Sequence, residues 1–86
     1  MDQLQKHRQQ IDQIDAEIIR LIARRLEVVQ KISKFKQNRQ IPTLDQERWQ
    51  KVLNSRADQA QVLGLDPELI KTIYEEIHKF ILKIKA

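Results

Sequence analysis

Three cations lie on an otherwise mostly apolar face of the first forty residues. Arg8, Arg25 and Lys36 belong to a row that recurs every three or four residues, the spacing of one face of an α-helix. A charge without a partner is costly to bury, so three cations on such a face favour a bound anion. Alternatively, their long side chains reach solvent from the edge of the face or pair with carboxylates of other helices. The row consists of Leu4, Arg8, Ile11, Asp15, Ile18, Ile22, Arg25, Val29, Ile32 and Lys36, and it is widened by Ile14, Leu21, Val28 and Phe35.

The spacing of these cations suits a small dianion. Arg25 and Lys36 are separated by about 16 Å along a helix, so their flexible side chains can close on an anion between them. Arg8 is about 25 Å from Arg25 and cannot reach that anion in its own chain, whereas Arg8 of a second, antiparallel chain can. Arg48 follows the Pro42 turn, near a helix start that also favours anions. Together these side chains would hold two carboxylates.

Residues 1–41 are predicted to form one unbroken helix, from about Asp2 to Asn38. They contain no Gly or Pro and are rich in good helix formers. Such a helix is about 55 Å long, whereas a compact chain of 86 residues has a radius of gyration of about 12 Å. The residues that follow are too few to cover it, so the sequence predicts a homodimer.

A second helix is predicted just after Pro42. Thr43 is expected to be its N-cap, with Gln46 reaching back to close a capping box and Asp45 in the first turn, where its charge suits the helix dipole. Gly64 is placed to end the helix. The side chains expected to be buried are Trp49, Val52, Leu53, Ala57, Ala60 and Leu63.

A third helix is predicted to begin with Asp66 as N-cap and Pro67 at the first helical position, and to run to the C-terminus. No segment shows the alternation of a strand. The expected architecture is therefore all-α, with one long and two shorter helices forming a single domain over residues 1–86. The apolar face of the third helix is expected to comprise Leu69, Ile70, Ile73, Tyr74, Ile77, Phe80, Ile81 and Ile84.

Composition excludes several classes of protein. Lys and Arg number 16 against 12 for Asp and Glu, and this net charge of +4 is spread along the chain rather than clustered as in a nucleic-acid-binding patch. The absence of Cys excludes a disulfide framework and a Cys-ligated metal. The polar N-terminus and the lack of a long apolar stretch predict a cytoplasmic protein without a membrane span. His7 and His78 are isolated, and we expect them at the surface or its edge.

Six short motifs occur in a fixed order across the chain. They are Arg8-x-x-Ile11-x-x-Ile14-Asp15, Leu21-Ile22-Ala23-Arg24-Arg25, Phe35-Lys36, Ile41-Pro42, Asp45-x-x-Arg48 and Leu63-Gly64-Leu65-Asp66. In order and spacing this pattern resembles the all-helical class of chorismate mutase over nearly the whole chain. The resemblance implies an intertwined homodimer with two sites, each fed by both chains. It also implies conversion of chorismate to prephenate in aromatic amino-acid biosynthesis, without covalent catalysis, metal or cofactor.

The resemblance also implies roles for particular residues. Arg25, Arg48 and Arg8 of the second chain would bind the substrate carboxylates. Lys36 would bond the ether oxygen and a carboxylate. Asp45 would accept a hydrogen bond from the substrate hydroxyl, through its main chain or its side chain.

Three positions depart from the family pattern. Trp49 stands where the family usually has Glu, and we expect it to pack rather than bind because it begins the apolar row of the second helix. Lys85 stands where the family has a Gln that donates to the ether oxygen. As an ammonium it would either serve as a catalytic donor there or repel Lys36. Ile81 stands where the family often has a small hydroxyl residue.

Three other functions compete with the mutase. An isochorismate pyruvate lyase of the same fold resembles the chain in Phe35-Lys36 and in lacking the Glu after Arg48. A non-catalytic helical dimerisation or regulatory module is the second, but a purely structural helix gains nothing from Arg25 and Lys36 in an apolar row. A nucleic-acid-binding protein is the third, and it is disfavoured because the cations lie among apolar residues rather than on an open face.

Overall fold

The computed structural model describes residues 2–41 and 45–85, and these form three α-helices and no strand. Helix α1 is Gln3–Asn38, α2 is Gln46–Val62 and α3 is Pro67–Lys85. The predicted all-α fold of one long and two shorter helices is confirmed. The chain divides into two compact units, Met1–Ile41 and Pro42–Ala86. Within the described ranges, no helix is long and apolar enough to cross a membrane.

Helix α1 is capped at both ends by its own chain. The Asp2 carboxylate accepts a hydrogen bond of 2.8 Å from the Gln5 amide. At the other end Gln40 has a φ of 57°, and the Ile41 amide donates to the Lys36 carbonyl at 2.8 Å. With the Gln40 amide bonded to the Gln37 carbonyl at 3.2 Å, this is a Schellman motif. The helix therefore ends at Asn38, as predicted.

Most of the large apolar side chains of α1 are exposed. Leu21 is 63% exposed and Ile11 is 56% exposed, whereas Leu26 and Val29 are half-buried. An exposed apolar stripe of this length is unusual for a chain that acts alone. The exposed large apolar side chains of α1 are Leu4, Ile11, Ile14, Ile18, Ile19, Leu21, Ile22, Val28, Ile32 and Phe35.

Helix α2 begins two residues later than a Thr43 cap would place it. Asp45 is the N-cap, because its side chain accepts a hydrogen bond of 3.0 Å from the Arg48 amide. The prediction of Asp45 in the first turn, with Gln46 closing a capping box, was therefore wrong. As N-cap, Asp45 satisfies the amide of Arg48, the third residue of α2, whereas a Thr43 cap would have satisfied an amide at Asp45 or Gln46. Thr43 itself lies outside the described residues.

Helices α2 and α3 pack against each other and form the core of the second unit. The link between them is another Schellman motif, in which Gly64 has a φ of 75° and the Leu65 amide donates to the Ala60 carbonyl at 2.9 Å. Leu63 was expected in the core but is 75% exposed, because it is the C-cap residue, where the helical periodicity ends. The buried side chains are Val52, Leu53, Ala57, Ala60 and Ile81.

Helix α3 starts as predicted. The Asp66 carboxylate accepts a 2.9 Å hydrogen bond from the Glu68 amide, and Pro67 is the first helical residue. The apolar face that packs is narrower than the predicted one. Ile81 is buried, and Ile70, Tyr74 and Ile77 are half-buried. The other four predicted side chains are exposed: Leu69, Ile73, Phe80 and Ile84.

Candidate active site

The cations predicted to bind an anion differ in environment along the unbroken helix α1. Arg25 and Lys36 are half-buried, whereas Arg8 is exposed. The helical rise places Arg25 and Lys36 about 16 Å apart along the axis, and Arg8 about 25 Å before Arg25. Helix α1 therefore brings Arg25 and Lys36 onto one face within reach of a common small anion, and it holds Arg8 of the same chain away from them.

Partial burial on α1 is confined to one stretch. Between Gln3 and Asn38 the residues that are not fully exposed are Arg25, Leu26, Val29, Ser33 and Lys36. The Nη1 atom of Arg25 is shielded from solvent. Shielding from water strengthens the attraction between a cation and an anion. An anion bound at this stretch would therefore be attracted more strongly than one bound at the exposed cations of α1. The sequence analysis did not single out Ser33, although its four-residue spacing from Val29 marks the same face.

Beside Lys36 the surface of α1 forms an open apolar groove of about 450 Å³. The Arg39 guanidinium lies over the Phe35 ring, 3.9 Å from its centroid, in a cation–π contact. A groove that is apolar apart from two lysines can take the hydrocarbon part of an anionic ligand. Its lining residues are Val28, Lys31, Ile32, Phe35, Lys36 and Ile41.

In the second unit, two predicted binding residues are joined by the start of α2. The Asp45 carboxylate accepts from the Arg48 amide at 3.0 Å, and the Asp45 carbonyl accepts from the Trp49 amide at 3.0 Å. The side chains of both Asp45 and Arg48 are exposed. The cap uses one carboxylate oxygen, Oδ1, and it fixes the position of the Arg48 main chain relative to Asp45.

The positions that depart from the family pattern have distinct structural roles. Trp49 is half-buried and its ring stacks on that of His78, with centroids 3.8 Å apart and planes 12° from parallel. Trp49 therefore packs, as predicted. Ile81 is 6% exposed and belongs to the α2–α3 core. Lys85 is the last residue of α3, and its side chain lies outside the described part of the structure.

His78 is half-buried, which agrees with the predicted position at the edge of the surface, but it is not isolated because it stacks on Trp49. The sequence analysis missed this stack because a contact between side chains 29 positions apart on two helices leaves no local pattern in the sequence. In residues 2–41 and 45–85 no three His, Asp or Glu side chains lie close enough together to hold a metal ion.

Comparison with known proteins identifies the family. The sequence matches the family described as chorismate mutase type II over residues 7–85. The chain therefore belongs to the chorismate mutase type II family, and the resemblance drawn from its motifs is confirmed. Chorismate mutases are isomerases of aromatic amino-acid biosynthesis, so the expected enzyme class is confirmed at the level of the family.

The curated relatives are much longer than this chain. It is 34% identical over 70 residues to the T-protein of Enterobacter agglomerans, an alignment that covers 81% of this chain and 19% of that protein. It is 30% identical over 102 aligned residues to the T-protein of Haemophilus influenzae, covering 95% of this chain and 27% of that protein. The chain thus spans about a fifth to a little over a quarter of the relatives' length. No solved structure matches it significantly.

Proposed function

We propose that residues 1–86 form one chorismate mutase domain, which rearranges chorismate to prephenate as a homodimer with two shared sites. The observation that carries this proposal is the pair of half-buried cations, Arg25 and Lys36, on one face of an unbroken helix in a chain of this family. Chorismate is a dianion, so cations held in this way suit its carboxylates.

Each binding residue has a stated role in the proposal. Arg25, Arg48 and Arg8 of the second chain bind the two carboxylates, with the planar guanidinium groups making bidentate contacts. Lys36 donates to the ether oxygen and to one carboxylate. Asp45 accepts a hydrogen bond from the substrate hydroxyl.

The reaction needs positioning and charge rather than proton transfer. One C–O bond breaks while one C–C bond forms within the same molecule, so no leaving group departs and no proton moves. The substrate must be held in a compact, chair-like conformer, and fixed cations do this when they grip both carboxylates. Negative charge grows on the ether oxygen as the C–O bond breaks. A preorganised donor aimed at that oxygen lowers the activation free energy by about 3 kcal/mol.

A catalytic role for Lys85 is part of the same proposal. It occupies the position of the family's Gln donor, and an ammonium there stabilises growing negative charge on the ether oxygen more strongly than an amide does. Lys36 and Lys85 would then act on the same oxygen, while Arg25 and Arg48 act on the carboxylates.

The homodimer is supported by the surface of α1. Its long row of exposed Ile and Leu side chains would be covered by the equivalent helix of a second chain. An antiparallel arrangement would bring Arg8 of one chain towards Arg25 and Lys36 of the other, which a helix of this length forbids within one chain. A cytoplasmic location, which suits a biosynthetic enzyme of this family, also belongs to the proposal.

The test is substrate turnover with product identification. The purified chain is given chorismate and, separately, isochorismate, and the products are separated and identified. We expect prephenate from chorismate. Salicylate and pyruvate from isochorismate, without prephenate from chorismate, would instead establish the lyase. No product from either substrate, in a sample shown to be a helical dimer, would refute both enzymatic functions and leave the non-catalytic module.

A further inference from the structure

The stacked pair Trp49 and His78 joins the first turn of α2 to α3. The ring centroids are 3.8 Å apart and the planes differ by 12°, so the two rings lie face to face. Trp49 is the fourth residue of α2, whereas His78 lies within α3, three residues before the buried Ile81. The contact therefore links a helix end to the core of the second unit.

Trp49 is the anchor of that helix end. Between Asp45 and Lys51 every residue except Trp49 is exposed. The Trp49 amide donates to the Asp45 carbonyl at 3.0 Å, and the neighbouring Arg48 amide donates to the Asp45 carboxylate at 3.0 Å. The backbone that carries Asp45 and Arg48 is thus tied to Trp49, and Trp49 is held by His78.

We propose that His78 is a positioning residue, which acts through Trp49 to hold Arg48 and Asp45 in their binding geometry. This inference rests on the proposed function, in which Arg48 binds a substrate carboxylate. His78 itself does not touch substrate. The flat imidazole fixes the plane of the indole, and the indole fixes the start of α2, from which Arg48 projects.

The kinetic effect of losing the stack follows from the role of Arg48. An arginine that grips a carboxylate equally in the ground state and the transition state sets KM and leaves kcat nearly unchanged. Beyond the effect of the area that it buries, a stacked aromatic pair contributes a free energy that corresponds to about a threefold to tenfold change in an equilibrium constant. Removing the ring at position 78 is therefore expected to raise KM by about threefold to tenfold, with kcat within about twofold.

The experiment compares ring-deleting and ring-retaining variants in the full chain. His78→Leu fills the space without a flat ring, and His78→Phe keeps a ring that stacks. His7→Leu is the matched control, because His7 is an exposed histidine on α1. Each protein is assayed for KM and kcat with chorismate and for thermal melting. Trp49 is the only tryptophan, so intrinsic fluorescence reports the stack directly.

We expect His78→Leu to raise KM selectively and to change the Trp49 emission, because the indole loses the imidazole ring that stacks on it. His78→Phe is expected to keep KM and the Trp49 emission close to those of the unsubstituted chain, and His7→Leu is expected to change neither. If His78→Leu melts below the assay temperature, His78→Gln is the ring-free variant instead.

An unchanged KM in a folded ring-free variant would overturn the inference, as would equal kinetic defects in the Phe and Leu variants. If the unsubstituted chain turned over no chorismate, the proposed function would fail and this role would fail with it. Normal turnover in the unsubstituted chain together with an unaffected ring-free variant would refute the positioning role alone.

Discussion

Two helix ends in this chain have the same geometry but different residues, and this pair gives a quantitative prediction. Gly64 and Gln40 both occupy the left-handed position that follows a helix in a Schellman motif, with φ of 75° and 57°. Glycine adopts this region without strain, whereas other L-residues pay about 1–2 kcal/mol for it. A Cβ added at Gly64 would meet no atom within 4 Å, so backbone strain alone decides the cost there.

We therefore expect opposite effects from exchanging the residue types. Gly64→Ala should lower the free energy of unfolding by about 1 kcal/mol, because the strain outweighs the lower entropy of the unfolded alanine chain. Gln40→Gly should raise it by about 0.5 kcal/mol, since relief of strain exceeds the entropy cost of glycine. For a domain of this size, 1 kcal/mol corresponds to about 4–8 °C in Tm.

The assay is thermal unfolding followed by circular dichroism at one fixed chain concentration, because association shifts Tm. Gln30→Gly is the control, since Gln30 lies inside α1 and is exposed. Glycine there should destabilise the chain by about 1 kcal/mol. A Gln40→Gly variant that melts as low as Gln30→Gly, or a Gly64→Ala variant as stable as the parent, would refute the assigned helix ends.

Three further predictions concern the proposed site. Asp45→Ala should lower the free energy of unfolding by about 1 kcal/mol, whereas Asp45→Asn should leave it nearly unchanged because Asn also caps a helix. Denaturant titration measures both free energies. Lys85→Ala should lower kcat by at least about tenfold if Lys85 donates to the ether oxygen, and unchanged turnover would remove it from catalysis. An equal mixture of refolded Arg8→Ala and Arg25→Ala chains should recover about one quarter of the parent activity, because half the dimers have one intact shared site. No recovery would contradict shared sites.

The helices could be predicted from sequence because their signals are local. Helix α1 has no interrupting Gly or Pro, Asp66 and Pro67 mark the start of α3, and Gly64 marks the end of α2. The start of α2 was misplaced because Thr43 and Asp45 are both good caps, and sequence alone does not decide which carboxylate or hydroxyl meets the helix amides. Similarly, periodicity included Leu63 in the core although the helix had already ended there.

The candidate site could be predicted only in part. The charged residues in the apolar row of α1 were visible, since they break a pattern that a structural helix keeps. The sequence did not show which of these side chains are shielded from solvent. In the structure Arg25 and Lys36 are half-buried, whereas Arg8 is exposed. The stack of Trp49 on His78 depends on how α2 and α3 pack, so no spacing rule within one helix reveals it.

The measurement that tests the proposed function most directly compares two neighbouring arginines. Arg25 is half-buried and is assigned to a substrate carboxylate, whereas Arg24 is exposed. With chorismate as substrate, Arg25→Ala should lower kcat/KM by at least about 100-fold. Arg24→Ala should stay within about twofold of the parent, as surface substitutions usually do. Equal activity of the two variants, in folded dimers, would contradict the proposed cationic site on α1.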